Sequence, residues 1–399
     1  MRLMIVTADD LRREYGGGQV YVRNLLRALL DAGHEVKVTN DPDEIPRAKP
    51  DVVHAHGLKA AAARAARNAG VPCVVTMHHG GLVCPQGALL DWEDRICRRS
   101  VEQQICTRCC LRGRWWGNAP LAVGKLLRRL PNIPFVTPAM TTPLAVAEKR
   151  AEIAALARDV TRFVAPSVAA QEALLRNGIP RERAVVVPHG IEPLLKTDRR
   201  RPGGCSADFD CWDGGVPRPV RFAYVGRIGR EKGLHVLIEA FRRLRGEAEL
   251  HVIGAAHSKW DKRYLRRIAL PPRVVLRGHL TGEAFILAWA QCAVTVLPSI
   301  CLEVFGLVVA ESFSLGRPVI VSDCGGPAEQ VRDGVDGFIV PPNDPAAVAV
   351  AMQRFVDNPS LAADMATRLP RPRTLAEHVA DLERVYSPCF DVSRRSHSP

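Results

Sequence analysis

Short apolar runs alternate with amphipathic segments along two long stretches of the chain, the rhythm of βαβ units that build a parallel sheet. In the first half the runs predict strands at 3–7, 35–39, 51–55, 73–77, 162–165 and 184–187. Between the first two lies a predicted helix, 19–32, with Val22, Leu25, Leu26, Leu29 and Leu30 on one face and Gly33 at its end, the position where glycine is favoured. In the second half the runs predict strands at 221–225, 249–253, 274–277, 293–297, 318–322 and 337–340, separated by helices such as 234–244 and 307–315. Glycine, proline and charge dominate 196–219, which reads as a linker. The pattern therefore predicts an α/β protein of two Rossmann-like, doubly wound domains in tandem. Ligands bind such sheets beyond the carboxyl ends of the strands. Two of them facing each other across a cleft suit a bisubstrate enzyme.

Composition narrows the class. The 399 residues are 47% apolar and 24% charged, enough for real cores and against global disorder. No apolar run reaches the ~18 residues of a membrane-spanning helix. The first ten residues meet two acids after a short apolar stretch, so they read as a buried strand and not as a signal peptide. The expectation is a cytoplasmic protein. The net charge of +13 is uneven, with +9 over residues 1–190 and +4 over the rest. Such a surface attracts phosphates, nucleic acid or an acidic membrane.

The second half carries the clearest chemistry. Tyr224-Val225-Gly226-Arg227 ends a strand and Glu231-Lys232-Gly233 opens the next helix. A strand-to-helix turn presents backbone N–H groups and the positive end of a helix dipole. Arg227 and Lys232 add two charges there, which suits a diphosphate. Glu303 and Glu311 are eight apart, so a helical course returns them to nearly the same face. Their neighbours are almost purely apolar, a setting that disfavours carboxylates without partners. Sugar hydroxyls are natural partners, because a carboxylate accepts two hydrogen bonds from vicinal OH groups. Gly325-Gly326 follows the predicted strand 318–322 and permits close backbone approach to a ligand.

These motifs occur in a characteristic order: Gly226-Arg227, Glu231-Lys232-Gly233, Pro298-Ser299, Glu303-Val304-Phe305-Gly306, Glu311, Gly316-Arg317-Pro318, Gly325-Gly326, Glu329 and Asp336-Gly337. The first half adds Gly16-Gly17, Gly33-His34-Glu35-Val36, Asp51-Val52-Val53-His54-Ala55-His56, Val75-Thr76-Met77-His78, Ala165-Pro166-Ser167 and Val187-Pro188-His189-Gly190. The chain resembles glycosyltransferase family 4 over nearly its whole length. The resemblance implies the GT-B fold and a retaining transfer of a sugar from a UDP- or GDP-sugar to a glycan or lipid-linked acceptor. It implies that Arg227 and Lys232 neutralise the diphosphate, that Glu303 holds sugar hydroxyls and Glu311 ribose hydroxyls, and that backbone N–H groups of Phe305-Gly306-Leu307 touch sugar or phosphate. The loop at Gly16 and Gly17 would close over the donor, and His78 would face the reacting sugar, so Glu303, His78, Arg227 and Lys232 make up the expected catalytic set. No cofactor is required in this scheme. His189 and Leu302 depart from residues common in the family, and His79 beside His78 leaves open which imidazole serves. A nucleotide-sugar epimerase of the same fold and a nucleic-acid-binding protein are the alternatives. The first lacks this Glu–Glu spacing, and the second leaves Arg227, Glu303 and Glu311 together without a purpose.

Cysteine usage adds one more expectation. Of twelve cysteines, Cys84, Cys97, Cys106, Cys109 and Cys110 fall close together, and Cys106-Thr107-Arg108-Cys109 is a C-x-x-C knuckle. Four thiolates, from Cys84, Cys97, Cys106 and Cys109, predict a structural zinc ion, with an iron–sulfur cluster, disulfides or unliganded thiols as alternatives. Residues 95–129 hold nine Lys and Arg against one acid, with Trp115 and Trp116 among them. That composition suits peripheral contact with a membrane surface or an anionic acceptor. The expected domains are 1–195, acceptor-binding, with the Cys-rich basic insertion 84–130, then 196–370, nucleotide-sugar-binding. The segment 371–390 is expected to form a helix that crosses back onto the first domain, with Leu375, Val379, Leu382 and Val385 as its apolar stripe.

Overall fold

The computed structural model of the chain describes residues 1–8, 17–111, 136–194 and 218–395, with the backbone alone at 136–140 and 388–395. Residues 196–217 of the expected linker, Gly16, Trp115, Trp116 and residues 112–129 of the basic segment lie outside the described residues. The chain divides into two units, Met1–Pro188 with Ala376–Pro399, and His189–Leu375. Residues 189–194 join the second unit and not the first, because Ile191 pairs with the chain at Thr374 and its N–H donates to the Arg373 carbonyl at 2.9 Å.

In the first unit the strands are β1 (Arg2–Val6), β2 (Glu35–Thr39), β3 (Val52–Ala55), β4 (Cys73–Thr76), β5 (Arg162–Ala165) and β6 (Ala184–Val186). They form a parallel sheet in the order β2-β1-β3-β4-β5-β6. All four residues of β3 and of β4 are buried, as expected for strands covered by helices on both faces. Helix α1 (Gly17–Asp31) buries Tyr21, Val22, Leu25 and Leu29. Leu30, placed on that face from spacing, is 56% exposed, because it sits one residue, or about 100°, beyond the Leu25–Leu29 stripe.

The second unit repeats the plan with β7 (Val220–Val225), β8 (Ala248–Ile253), β9 (Val274–Gly278), β10 (Val294–Leu297), β11 (Val319–Ser322) and β12 (Gly337–Val340). Their order is β12-β11-β10-β7-β8-β9, parallel throughout. Three helices matter for the site: α2 (Leu234–Arg242) after β7, α3 (Lys259–Leu265) after β8, and α4 (Leu307–Ser314) after β10. The direction of strand addition reverses between β1 and β3 in one sheet and between β7 and β10 in the other. Those reversal points are where doubly wound sheets bind ligands.

The chain ends in α5 (Leu375–Arg395), which belongs to the first unit from Ala376 onward. Val379, Leu382, Val385 and Tyr386 on it are buried. Tyr386 hydroxyl meets His54 Nδ1 at 2.7 Å, His378 Nε2 meets the Tyr21 hydroxyl at 2.7 Å, and His34 Nε2 meets a Glu383 carboxylate oxygen at 2.9 Å.

Candidate active site

At the reversal point of the second sheet, the chain leaving β7 and the chain leaving β10 are stitched together. Ile300 N–H donates to the Glu231 carbonyl at 3.0 Å. Gly233 has φ +73°, and a Cβ there would lie 1.8 Å from the Pro298 carbonyl oxygen. Only glycine permits both the left-handed backbone and the close approach. Gly233→Ala is therefore expected to force the two loops apart. Left-handed strain alone costs roughly 1–2 kcal/mol, and the clash adds to it. Denaturant unfolding should show the loss in the second unit.

The result of this stitching is one ion pair. Lys232 Nζ donates to Glu303 Oε1 at 2.5 Å, and the Ser299 hydroxyl donates to the same oxygen at 2.6 Å. Burial pushes the Glu303 carboxyl upward, but the Lys232 charge and these two donors outweigh it and hold it below the usual carboxylate range. Burial likewise works against the Lys232 ammonium, and the facing Glu303 charge holds its pKa above the usual value. Both groups are charged at neutral pH. The backbone of Glu303 is fixed from the other side: its N–H donates to the Cys324 carbonyl at 2.8 Å and its carbonyl accepts from Gly326 N–H at 2.9 Å. A Cβ on Gly326 would lie 2.5 Å from Phe305 Cα, so the glycine pair after β11 serves to admit the Glu303 loop.

Arg227 stands beside this pair. Its Nη1 lies 3.2 Å from each carboxylate oxygen of Asp261 in α3, and its Nη2 donates to Glu231. Gly233 and Gly306 occupy the N-cap positions before α2 and α4, and neither helix has a side-chain cap. Their first N–H groups thus complement the cations as a receptor for negative charge. Gln330 Nε2 donates to the Phe305 carbonyl at 2.6 Å and fixes the loop that leads into α4. His189 packs edge-on against Phe305, with ring centroids 5.0 Å apart.

Glu311, in the middle of α4, has no side-chain hydrogen bond or ion pair among the described residues. Burial alone raises its carboxyl to about 7. A carboxylate kept this way in an apolar setting is poised for a polar ligand.

In the first unit, His78 follows β4 and His56 follows β3. His56 Nδ1 and His78 Nε2 are 2.7 Å apart, so one ring donates and the other accepts. The Tyr21 ring stands 5.1 Å from His78 and 5.9 Å from His56. Behind them His54 is buried between Thr76 Oγ1 and the Tyr386 hydroxyl, both at 2.7 Å. Burial first, and the His378 charge second, push its pKa down to about 3, so it stays neutral. The exposed neighbour His79 does something else: its Nδ1 accepts from Gly81 N–H at 2.9 Å and caps the turn Gly80–Leu82. Of the two imidazoles left open by the sequence, His78 is the one joined to the buried histidine network. Gly17 opens α1.

Five cysteines of the first unit lie near one another. Cys106, Cys109 and Cys110 share the helix Gln103–Cys110. Their thiols, with Cys84 and Cys97, are close enough to perturb one another: burial first and neighbouring thiols second push Cys109 to about 12 and Cys110 to about 11. Among the described residues no group of three or more His, Cys, Asp or Glu can hold a metal ion. Cys109 is engaged otherwise, accepting from Gln86 Nε2 at 3.3 Å and donating to the Leu90 carbonyl at 3.8 Å. No helix among the described residues is long and apolar enough to cross a membrane.

Two doubly wound parallel sheets, the second carrying two cations and a paired carboxylate at its reversal point, define an α/β protein of two Rossmann-like domains. Comparison with known families agrees. Residues 215–370 match the model "Glycosyl transferases group 1" and residues 42–190 match "Glycosyl transferase 4-like domain". The chain belongs to this GT-B family of glycosyl transferases. Among curated relatives it is similar to glycogen synthase of Mycobacterium tuberculosis, 33% identical over 40% of this chain and 39% of that protein. It is also similar to D-inositol 3-phosphate glycosyltransferase of Streptomyces avermitilis, 29% identical over 59% of this chain and 53% of that protein. The matched region spans about two fifths of the length of the first of these relatives. Among solved structures, HepE of Anabaena in complex with UDP and glucose superposes with a TM-score of 0.64 at 17% identity, covering 97% of this chain and 99% of that one. Sucrose-phosphate synthase from Thermosynechococcus elongatus superposes with a TM-score of 0.63 at 19% identity, covering 98% and 99%. These likenesses establish the fold.

Proposed function

We propose that the protein is a retaining glycosyltransferase that takes a sugar from a UDP- or GDP-sugar and delivers it to a glycan or lipid-linked acceptor. The observation that carries this reading is the Lys232–Glu303 pair, a cation for phosphate and a carboxylate for sugar hydroxyls held 2.5 Å apart. In a nucleotide sugar the diphosphate and the sugar are likewise adjacent. Cleavage of the anomeric C–O bond leaves a diphosphate with extra negative charge and an oxocarbenium-like sugar. Lys232, Arg227 and the starts of α2 and α4 stabilise the departing charge, without reorganisation at the moment of reaction. Glu303 accepts hydrogen bonds from sugar hydroxyls with the oxygen not already shared by Lys232 and Ser299. Attack from the face that the diphosphate leaves retains configuration, and the departing phosphate oxygen takes the acceptor's proton. His78, joined to His56 at 2.7 Å, is the candidate catalytic imidazole of the first unit. The acceptor is bound by the first unit. The uridine class of donor is the first to test, given the UDP complex of the structural neighbour.

Glu311 supplies a pH signature. Its folded-state carboxyl, at about 7, lies above the ordinary value near ~4.3. Between those values the unfolded chain ionises while the folded one stays protonated, so this group subtracts stability as pH rises through that window and the loss is complete above it. Ribose hydroxyls donate best to the ionised form. Affinity for a nucleoside diphosphate is therefore expected to rise as pH passes through about 7. Calorimetric titration across that range tests this. Glu311→Gln should flatten the rise, and a wild-type affinity that falls over the same window would count against the ribose role.

A further inference from the structure

We propose that Asp261 is a positioning residue of the diphosphate site, acting through Arg227. The proposal rests on the diphosphate reading of Arg227 given above. Asp261 comes from a different loop, the one after β8, and stands in the first turn of α3. It is 8% exposed, and its two oxygens are equidistant, at 3.2 Å, from Arg227 Nη1. A buried carboxylate needs a partner, and this one faces a single guanidinium. The same residue serves as the N3 member of a capping box: its N–H donates to the Ser258 hydroxyl at 3.0 Å, and Oδ2 accepts from Ser258 N–H at 3.3 Å. The cap locks the carboxylate to the helix start, and the carboxylate in turn locks one edge of the guanidinium. Gly229 makes room for this, since a Cβ there would lie 2.7 Å from Arg227 Nη1.

The other edge of the guanidinium behaves differently. Nη2 rests on Glu231, whose side chain is 23% exposed against 11% for Asp261. Glu231 is thus the partner that yields when a diphosphate arrives, while Asp261 stays. Arginine is a long, rotamer-rich side chain, and a fork held in advance binds phosphate oxygens with less ordering at the moment of binding. The electrostatic sign runs the other way, because an aspartate beside the cation repels an anionic ligand. That opposition makes the proposal testable. If local charge alone governed affinity, removing the Asp261 charge would tighten binding. If Asp261 positions Arg227, removing it loosens binding despite the gain in net positive charge.

The experiment titrates UDP, GDP, ADP and inorganic pyrophosphate into the full chain and its variants by calorimetry. The loss expected for Asp261→Asn is about 10-fold for the tightest diphosphate and for pyrophosphate, the scale of one charge-assisted contact. Ser258→Ala removes only the hydroxyl half of the capping box and keeps the backbone N–H of residue 258 on Asp261 Oδ2, so the carboxylate still faces Arg227 and affinity should change less than about 2-fold, an exposed-cap effect. In the Arg227→Ala background, Asp261→Asn should cost nothing further, since coupled residues are not additive. Unchanged or tighter binding by Asp261→Asn overturns the proposal. So does a Ser258→Ala loss as large as that of Asp261→Asn, or an undiminished Asp261→Asn effect without Arg227. If Arg227→Ala itself binds as wild type does, the diphosphate reading falls and this proposal with it. If Arg227→Ala weakens binding and Asp261→Asn does not, only the positioning role falls.

Discussion

Lys232→Ala is expected to weaken binding of a nucleoside diphosphate by about 10- to 100-fold, the equivalent of roughly 1.5–3 kcal/mol for a charge-assisted hydrogen bond. The loss has two sources. The direct one is the missing cation. The indirect one is Glu303, whose Oε1 then keeps only the Ser299 hydroxyl while burial continues to press its carboxyl upward. Its pKa should rise, and the site should lose one positive charge without gaining another. Lys232→Arg is not a neutral substitute, because a planar fork cannot occupy the space of a compact ammonium 2.5 Å from Glu303. Double replacement of Lys232 by methionine and Glu303 by glutamine should recover fold stability relative to Lys232→Met, yet not ligand affinity. Equal affinity of wild type and Lys232→Ala for UDP, GDP and ADP would remove Lys232 from the site.

A chain ending at Leu369 is expected to lose the cooperative folding of the first unit. It lacks the buried side chains of Val379, Leu382, Val385 and Tyr386. Burial of each is worth about 1.5–3 kcal/mol, against a domain margin of about 5–15 kcal/mol. The truncation also strips the Tyr386 hydroxyl from His54 Nδ1 and the His378 ring from the Tyr21 hydroxyl. A milder variant isolates the polar part. Tyr386→Phe keeps the ring and leaves a buried imidazole nitrogen without that hydroxyl, a cost of about 1–3 kcal/mol. Calorimetric melting reads both changes, with the first unit's transition lowered by Tyr386→Phe and abolished by the truncation. A truncated chain that melts as the full chain does would separate α5 from the stability of the first unit.

The strands were the most legible part of the chain. Runs such as Val-Val-His-Ala and Val-Ile-Val-Ser are buried on both faces, and that doubles the apolar signal that marks them in sequence. Lys232, Arg227, Glu303 and Glu311 were legible as candidates because charge in an apolar run is conspicuous. Their pairing was not. Nothing in one-dimensional spacing says that Lys232 meets Glu303, since the contact arises where β7 and β10 lie side by side. Asp261 was missed for the same reason: in sequence it is one acid among the cations of a polar helix, and only the fold aims it at Arg227. His56 carried a faint signal in the alternation of His54-Ala55-His56, which puts two imidazoles near one strand end. Cysteine spacing likewise signals proximity but does not fix where each Sγ points: Cys109 meets Gln86 and the Leu90 carbonyl, partners that no spacing announces.

In the proposed function the second unit holds a nucleotide sugar through Arg227, Lys232, Glu303 and Glu311. The measurement that tests it most directly is a thermal-shift and calorimetric panel of UDP-, GDP- and ADP-sugars against the full chain, run in parallel with Lys232→Ala. At 100 times its dissociation constant, a ligand that binds only the folded state stabilises it by about 2.7 kcal/mol. The account predicts such a shift for at least one nucleotide sugar and its marked reduction in Lys232→Ala. No shift with any nucleotide sugar, or an equal shift in wild type and Lys232→Ala, would contradict it.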